Sequence, residues 1–463
     1  MSDRGLASAR AKMRDAGVAD QAIEVFAHYY RQLEDGATGV IREDSIEPLT
    51  APELLDSIEI DDAAAAAGLA TTAIIKLNGG LGTSMGMDRA KSLLPVRDGR
   101  SFLDITVEQV LSARRAYGVR LPLLFMNSFR TRDDTLAALE RYPGLEVDGL
   151  GLDFLQNSEP KLRADDLTPV EWPADPALEW CPPGHGDLYP ALLASGVLGR
   201  LLDAGYQQAF VSNADNLGAA PDARIAGWFA AGGAPYAAEI CRRTAADRKG
   251  GHLAIRKADG RLILRDTAQT AADELHHFTD EFRHPYFHTN NLWFHLPTLA
   301  RTLAERDGVL GLPLIRNEKT VDPADPSSTR VIQIESAMGA AIEVFAGATA
   351  IGVGRERFVP VKTTDDLLLL RSDVYELSAE FRLTRAADPA PLVDLDSRYY
   401  KTIAGFTERF PAGAPSLAGA SGLRVRGDWT FEAGVVVRGA AALSDPGEPS
   451  IVPARAILEG SSN

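Results

Sequence analysis

Nine residues that follow a short apolar run, Asn78 to Gly86 in "NGGLGTSMG", include four glycines, at 79, 80, 82 and 86. A backbone stripped of side chains can bring its N–H groups close to an anion. Lys91 follows in "AKSLLPV", and a lysine just past such a loop can hold phosphate as a point charge. Neither familiar phosphate loop fits. No lysine follows Gly86 directly, as the P-loop requires. Gly80, Gly82 and Gly86 read G-x-G-x-x-x-G, one residue longer than the dinucleotide fingerprint. By itself the stretch is an anion cradle or only a tight turn.

Other residues could join it in phosphate chemistry. Asn213 and Asp215 lie in "FVSNADN", just past an apolar run, where open α/β sheets place ligands. Read alone, Asn-x-Asp there is equally a turn or a helix cap. Lys362 ends "RFVPVK", and such a lysine is usually solvated. His185 stands between Gly184 and Gly186 in "PPGHGDLYPAL", so backbone and imidazole can approach a ligand closely, while Asp187 reads as the cap of the following helix. Gln156, in "DFLQNSEPKL", carries a carboxamide with both donor and acceptor, but read alone it is a surface glutamine. Asn290 and Asn291, in "HTNNLW", could bind vicinal sugar hydroxyls, or form a turn before a strand. Asp273, Glu274, Asp280 and Glu281 read mostly as solvated loop charges.

The elements that must position these residues fall into three stretches. Residues 1–65 read mostly as helix. "DQAIEVFAHYYRQLEDG" spaces Ile23, Phe26, Ala27, Tyr30 and Leu33 helically, and "DDAAAAAGLA" adds a second piece. From 66 to 385, buried strands ("TTAIIKL", "LPLLFMN", "QQAFVSN", "RFVPV") alternate with helices ("SFLDITVEQVLSARRAYG", "YPALLASGVLGRLLDAG", "DDLLLLRSDVYEL"). That alternation predicts an α/β fold, a mixed and mainly parallel sheet flanked by helices. From 386 to 463, "SGLRVRGDWTFEAGVVVRGAAAL" alternates with period two between glycine turns, which predicts stacked short strands in a small β-solenoid. Its Arg426-Gly427-Asp428 is read as a turn.

Composition excludes some partners. The chain has 463 residues, 45% of them apolar, with 64 acidic against 48 basic side chains and a formal charge of -16. That length predicts two or three domains. Such a surface repels nucleic acid and anionic lipid. Positive charge for an anionic ligand must therefore be local. Two cysteines, Cys181 and Cys241, are too few for a disulfide scaffold and fit a reducing compartment. The start "MSDRGLASARAKM" has no apolar signal core, and no run reaches the roughly 20 residues of a membrane span. A soluble cytoplasmic protein is expected.

A resemblance unites these residues. "LNGGLGTSMG" with "KSLLPV", then "FMNSFRTRDDT", "PPGHGDLYPAL", "FVSNADNLGA", "KGGHL", "HTNNLWF", "VIQIESAMGAAI" and "RFVPVKTTDDLLLLRSDVYEL", occur in order. "RFPAGAPSL" and "VRGDWTF" continue the series. Together they resemble the eukaryotic-type UTP–glucose-1-phosphate uridylyltransferases, or UDP-glucose pyrophosphorylases, over roughly residues 45–435. The resemblance implies a Rossmann-like nucleotidyltransferase core with an N-terminal helical segment and a small C-terminal left-handed β-helix. It implies that UTP and glucose 1-phosphate give UDP-glucose and pyrophosphate.

The same resemblance assigns roles. Lys362 and Lys91 are the catalytic lysines. Leu77, Asn78, Gly79, Gly80, Lys91, Gln156, Gly184, Asp215 and Lys362 bind UTP. His185, Asn213 and Asn290 bind the sugar phosphate, and Asp215 holds Mg2+. Where relatives often read C-K-G-P-K-S, this chain has Met87-Asp88-Arg89-Ala90-Lys91-Ser92, which makes Arg89 the candidate substitute for a missing lysine. The short tail after Trp429 favours a monomer or dimer over an octamer. Two rivals are a uridylyltransferase for galactose or N-acetylhexosamine 1-phosphate and a non-catalytic UDP-sugar sensor. The arginine-free glycine loop argues against the N-acetylhexosamine branch. Lys91, Asp215 and Lys362 together argue against a sensor, which needs no pyrophosphate machinery.

Overall fold

The computed structural model describes residues 2–244, 247, 250–386 and 389–460. Lys249 of the "KGGHL" motif and the last three residues of the chain lie outside them.

The central sheet uses eight strands in line: β1 (Glu53–Leu54), β2 (Thr72–Asn78), β3 (Leu123–Asn127), β4 (Asp153–Leu155), β5 (Gln208–Asn213), β6 (Tyr236–Arg242), β7 (Tyr286–His295) and β8 (Thr349–Val353). Their order across the sheet is β1-β8-β6-β7-β5-β2-β3-β4. Every neighbouring pair is parallel except the two that β7 makes, which are antiparallel. The inner parallel strands read as continuous apolar runs because helices cover both faces. Ala73, Ile74 and Ile75 of β2 and Ala209, Phe210 and Val211 of β5 are fully buried. Helix Phe102–Tyr117 starts on a capping box between Ser101 and Asp104 and stops at Gly118, whose φ of +65° suits glycine.

Three elements differ from their sequence reading. "YPALLASGVLGRLLDAG" is two helices, Leu188–Ala194 and Val197–Asp203, because Gly196 turns left-handed between them. "DDLLLLRSDVYEL" is helical only to Arg371, and Tyr375–Leu377 is a strand. "RFVPV" is no ladder strand: Arg357 closes a 3-10 turn and the rest makes a single bridge, Asn216 to Pro360, since proline has no N–H to give a ladder.

Residues 1–65 pack against the sheet and extend it. Helices Ser2–Asp15 and Asp20–Glu34 pack Met13, Ile23, Phe26 and Tyr30 into the same core as Ile75, Leu188 and Leu292. Ile46–Pro48 pairs with His252–Arg256, and β1 lies at the edge of the sheet. Neither pairing has a signal in the residue pattern, because two- and three-residue strands carry almost no periodicity.

After residue 390 the chain coils. Leu392–Asp394, Ala420–Val425, Val436–Leu443 and Ile457–Glu459 stack in parallel, and Trp429–Phe431 stacks on Ser450–Val452. Gly427 of the Arg-Gly-Asp triplet turns at φ +86° and donates its N–H to Asp396. The coils share one apolar core with Met85, Leu94, Val361 and Leu367, so the glycine loop and the Lys362 segment rest on them.

Candidate active site

The carboxyl ends of four parallel strands lie level. Asn213 of β5 is in register with Leu77 of β2, Asn78 with Asn127 of β3, and Asn127 with Leu155 of β4. The segments leaving these strands therefore meet at one edge: the glycine loop, residues 128–131, Gln156 and the turn bearing Asp215. Register along β7 brings Asn290 to the same edge, because Leu292 pairs with Val211.

Opposite charges converge here from distant parts of the chain. The Lys91 ammonium lies 2.6 Å from an Asp215 oxygen and also donates to the carbonyl of Val361. The Lys91 N–H donates to Gly80 O at 3.1 Å, which ties the lysine to the glycine loop. Leu77 O accepts from Ala214 N, so β2 also holds the Asp215 turn. Lys362 comes directly after Val361. Its backbone N–H and that of Thr363 donate to Asp366, the N3 residue of helix Thr364–Arg371. The Lys362 side chain is exposed and, among the described residues, has no hydrogen bond or ion pair.

The other half of the edge has the makings of a base pocket. A Cβ on Gly79 would sit 2.7 Å from the Oε1 of Gln156 and 3.1 Å from its Nε2, so only glycine lets that amide lie on the loop. Gln156 N donates to Asn127 O at 2.8 Å. A Cβ on Gly184 would meet the Ser336 carbonyl at 2.6 Å, and its φ is +77°. His185 accepts a hydrogen bond from Met338 N at Nδ1. Its ring opens on the cleft, but protein crowds the other sides, and that desolvation lowers its pKa. The neutral ring thus carries its proton on Nε2.

Some residues take other positions than expected. Asp187 does not cap its helix. It is buried, and its carboxylate accepts the backbone N–H of Asn157 at 2.5 Å and the Asn157 side-chain amide at 2.7 Å. Asn78 turns its amide inward to Asn127 and Thr135, which leaves its backbone to the site. Asn290 sits not in a turn before a strand but at a bulge within β7, at φ +61°, a conformation asparagine tolerates. Asn291 is fully buried and donates to Glu239 and to the Arg357 carbonyl, so it does not face the cleft. Glu274 is not solvated: it is buried against Arg265, while Asp273 pairs with Arg42 at the surface. Arg89 is 66% exposed, and its ionic neighbour is Asp88 at 3.9 Å, so it does not replace a lysine within the cluster.

Sequence reasoning missed the layer beneath the site. Glu239 and Arg357 form a buried bidentate pair at 2.7 and 2.9 Å. Asn291 and Trp293 fill the remaining acceptor positions of Glu239. Arg357 donates to Ala220 O, and Asn216 bridges the Arg357 carbonyl and Val359 N. Lys76, wholly buried, donates to Ser212 and to Ala219 O; burial lowers its pKa to about 7. One polar network therefore carries both the Asp215 turn and the approach to Lys362. "FVSNADN" holds the only local hint, an asparagine too many for a simple turn.

Among the described residues, no group of three or more His, Cys, Asp and Glu side chains could cage a metal. Asp215 instead suits an ion that takes one protein carboxylate and completes its shell with phosphate oxygens and water, as magnesium does.

A mainly parallel α/β sheet with two lysines, one carboxylate and a glycine loop at its carboxyl edge defines the nucleotidyltransferase class. Residues 23–438 match the family model of UTP–glucose-1-phosphate uridylyltransferase. The probable UTP–glucose-1-phosphate uridylyltransferase of Schizosaccharomyces pombe is 38% identical over 424 residues, 89% of this chain and 81% of the relative. The enzyme of that name from Solanum tuberosum is 39% identical over 79% of this chain and 75% of its own. A Leishmania major UDP-glucose pyrophosphorylase variant solved with UDP-glucose superposes with a TM-score of 0.92 at 41% identity, covering 99% of this chain and 98% of that one. The chain belongs to the UTP–glucose-1-phosphate uridylyltransferase family.

Proposed function

We propose that this chain joins UTP and glucose 1-phosphate into UDP-glucose and pyrophosphate. The observation that carries this is the convergence of Lys91, Asp215 and the Val361–Lys362 segment at one sheet edge, beside Gln156 on the glycine loop. A phosphate oxygen of the sugar attacks the α-phosphorus of UTP in line. The new O–P bond forms as the α–β bridge breaks, and pyrophosphate leaves. The nucleophile is already an anion, so no general base is needed. The protein must align two anions and stabilise the charge that grows on the α-phosphate and the leaving group.

On this reading Gln156 and Gly184 meet uracil, and the backbone of Leu77 to Gly80 lines the nucleotide. His185 donates Nε2–H to the sugar phosphate, and Asn213 and Asn290 hold the sugar side. Lys91 and Lys362 face the triphosphate. Asp215 holds Mg2+, which would neutralise phosphate charge when bound. The coils after residue 390 form a left-handed β-helix, and residues 1–65, 66–385 and 386–463 act as helical lead, catalytic domain and β-helix. No helix of the described residues is long and apolar enough to cross a membrane, and both cysteines are free and buried. These support a cytoplasmic place of work, which cell fractionation would check.

Pyrophosphate release from UTP, assayed with a panel of sugar 1-phosphates, tests the proposal. Glucose 1-phosphate should be the fastest substrate, and a chelator should stop the reaction. Faster release with galactose or N-acetylhexosamine 1-phosphate would favour another sugar, and no release with any would favour a sensor. Asp215→Asn should abolish magnesium-supported turnover in a folded protein. Unchanged magnesium dependence would assign the metal elsewhere.

A further inference from the structure

Asp187 lies outside the set of groups given a role in the reaction, yet it joins two of its parts. One carboxylate oxygen accepts the Asn157 backbone N–H at 2.5 Å, and the other accepts the Asn157 side-chain amide at 2.7 Å. Gln156, the residue before, lies on Gly79. On its other side Asp187 ends the turn that carries Gly184 and His185. That turn is fixed from beyond: Gly186 N donates to Ser336 O at 2.8 Å, Ser336 N to Pro183 O, and Met338 N to His185. The Gly184–Asp187 turn is therefore anchored, while the Gln156–Asn157 segment hangs from the Asp187 carboxylate. With Asn127 O holding Gln156 N at 2.8 Å, the carboxylate fixes the remaining freedom of the segment.

We propose that Asp187 is a positioning residue for uridine recognition, clamping Gln156 against Gly79 in register with Gly184. The inference rests on the assignment of Gln156 and Gly184 to the uracil of UTP.

The surroundings explain why a clamp here is sensitive. Asp187 borders a small cavity beside helix Asp20–Glu34, lined also by Tyr29, Glu159, Glu335 and Ser336. Glu159 is fully buried there, with an oxygen that meets no hydrogen-bond donor. The ionisable groups facing Asp187 are thus Glu159, Glu335, Tyr29 and its neighbour His185, and none of them is a lysine or arginine. Burial raises the Asp187 carboxyl to about 7 against the two Asn157 bonds, and burial also raises Glu159. Above its pKa the ionised carboxylate accepts from both Asn157 groups. Below it one oxygen carries a proton, and one of the two bonds is lost.

Asp187→Asn tests this with little change of shape, since its amide nitrogen cannot accept from Asn157. The expected result is a KM for UTP raised roughly tenfold, as for one lost bond to a charged group. Turnover and the KM for glucose 1-phosphate should stay near their wild-type values, and selectivity for UTP over CTP should fall. UDP-glucose, whose diphosphate diester does not titrate near neutrality, separates protein from ligand protonation. Its affinity for the wild type, measured by calorimetry, should fall as pH drops below about 7, and that step should be absent in Asp187→Asn. Asn157→Ala, which keeps the backbone bond, should move the UTP KM the same way by less, and it carries the test if Asp187→Asn does not fold. An unchanged KM for UTP, equal shifts in turnover and both KM values, or the same pH step in variant and wild type would overturn the clamp. A wild type that binds UDP-glucose through the clamp but releases no pyrophosphate would overturn the assigned reaction instead.

Discussion

Lys362 and Lys91 carry the same charge at one site edge but differ in what they are free to do. Lys91 is committed to Asp215 and the Val361 carbonyl. The exposed Lys362 ammonium has no such partner among the described residues, so it can turn to phosphate without breaking a bond. Removing a preorganised positive donor typically costs about 100- to 1,000-fold in turnover. Lys362→Ala should lose turnover on that scale while glucose 1-phosphate binding changes little, as steady-state kinetics would show. Near-normal turnover in the folded variant would strip Lys362 of the role. Read singly, these residues give little away: a strand-end lysine is mostly solvated, and Asn-x-Asp is mostly a turn. The ordered run of motifs makes them candidates. Their pairing stays hidden, because Lys91 and Asp215 are 124 positions apart and no periodicity links them. Asp187 misleads for a related reason. An acid before a helix is usually its cap, and only the fold shows Asn157 arriving to take the carboxylate.

At the scale of elements, the Glu239–Arg357 pair joins β6 to the chain that leads to Lys362. Its four acceptor bonds are all filled, which is what keeps a buried carboxylate tolerable. Glu239→Gln would leave the Arg357 guanidinium buried without its counter-charge. Breaking such a pair costs about 3–5 kcal/mol, so urea unfolding should shift by that order, with turnover falling as the Asp215 turn and Val361 loosen. A loss under about 1 kcal/mol would mean that the network is not what holds these segments. The long strands and helix Phe102–Tyr117 are legible because an apolar run or a helical stripe survives in the sequence. The breaks at Gly196, Ser372 and Pro360 are not. Each is one residue whose backbone conformation or missing donor outweighs an otherwise consistent pattern.

The chain covers 98% of the Leishmania major UDP-glucose pyrophosphorylase that it superposes on. Among the described residues of the coils, the large apolar side chains most open to solvent are Leu392, Ile451 and Ile457. Stable interfaces usually bury at least about 1,000 Å² with an apolar centre. Light scattering at micromolar concentration should therefore give a monomer or dimer, and a stable mass near eight subunits would refute this. The alternation of strands and helices announces the mainly parallel sheet, but not its order. β7, the one antiparallel strand of the eight, is also the sole link between β5 and β6. During synthesis β5 and β6 leave the ribosome well before His295, the last residue of β7; until then β5 has only β2 beside it, and β6 is not joined to them. Until β7 arrives, β6 cannot join the β5-β2-β3-β4 part of the sheet, and both keep bare edges that invite pairing with other chains. Nascent chains arrested before residue 286 should be cut readily by protease, and chains extended past 295 should resist. In the life of this protein the most exposed moment is the interval before its ten-residue keystone strand arrives.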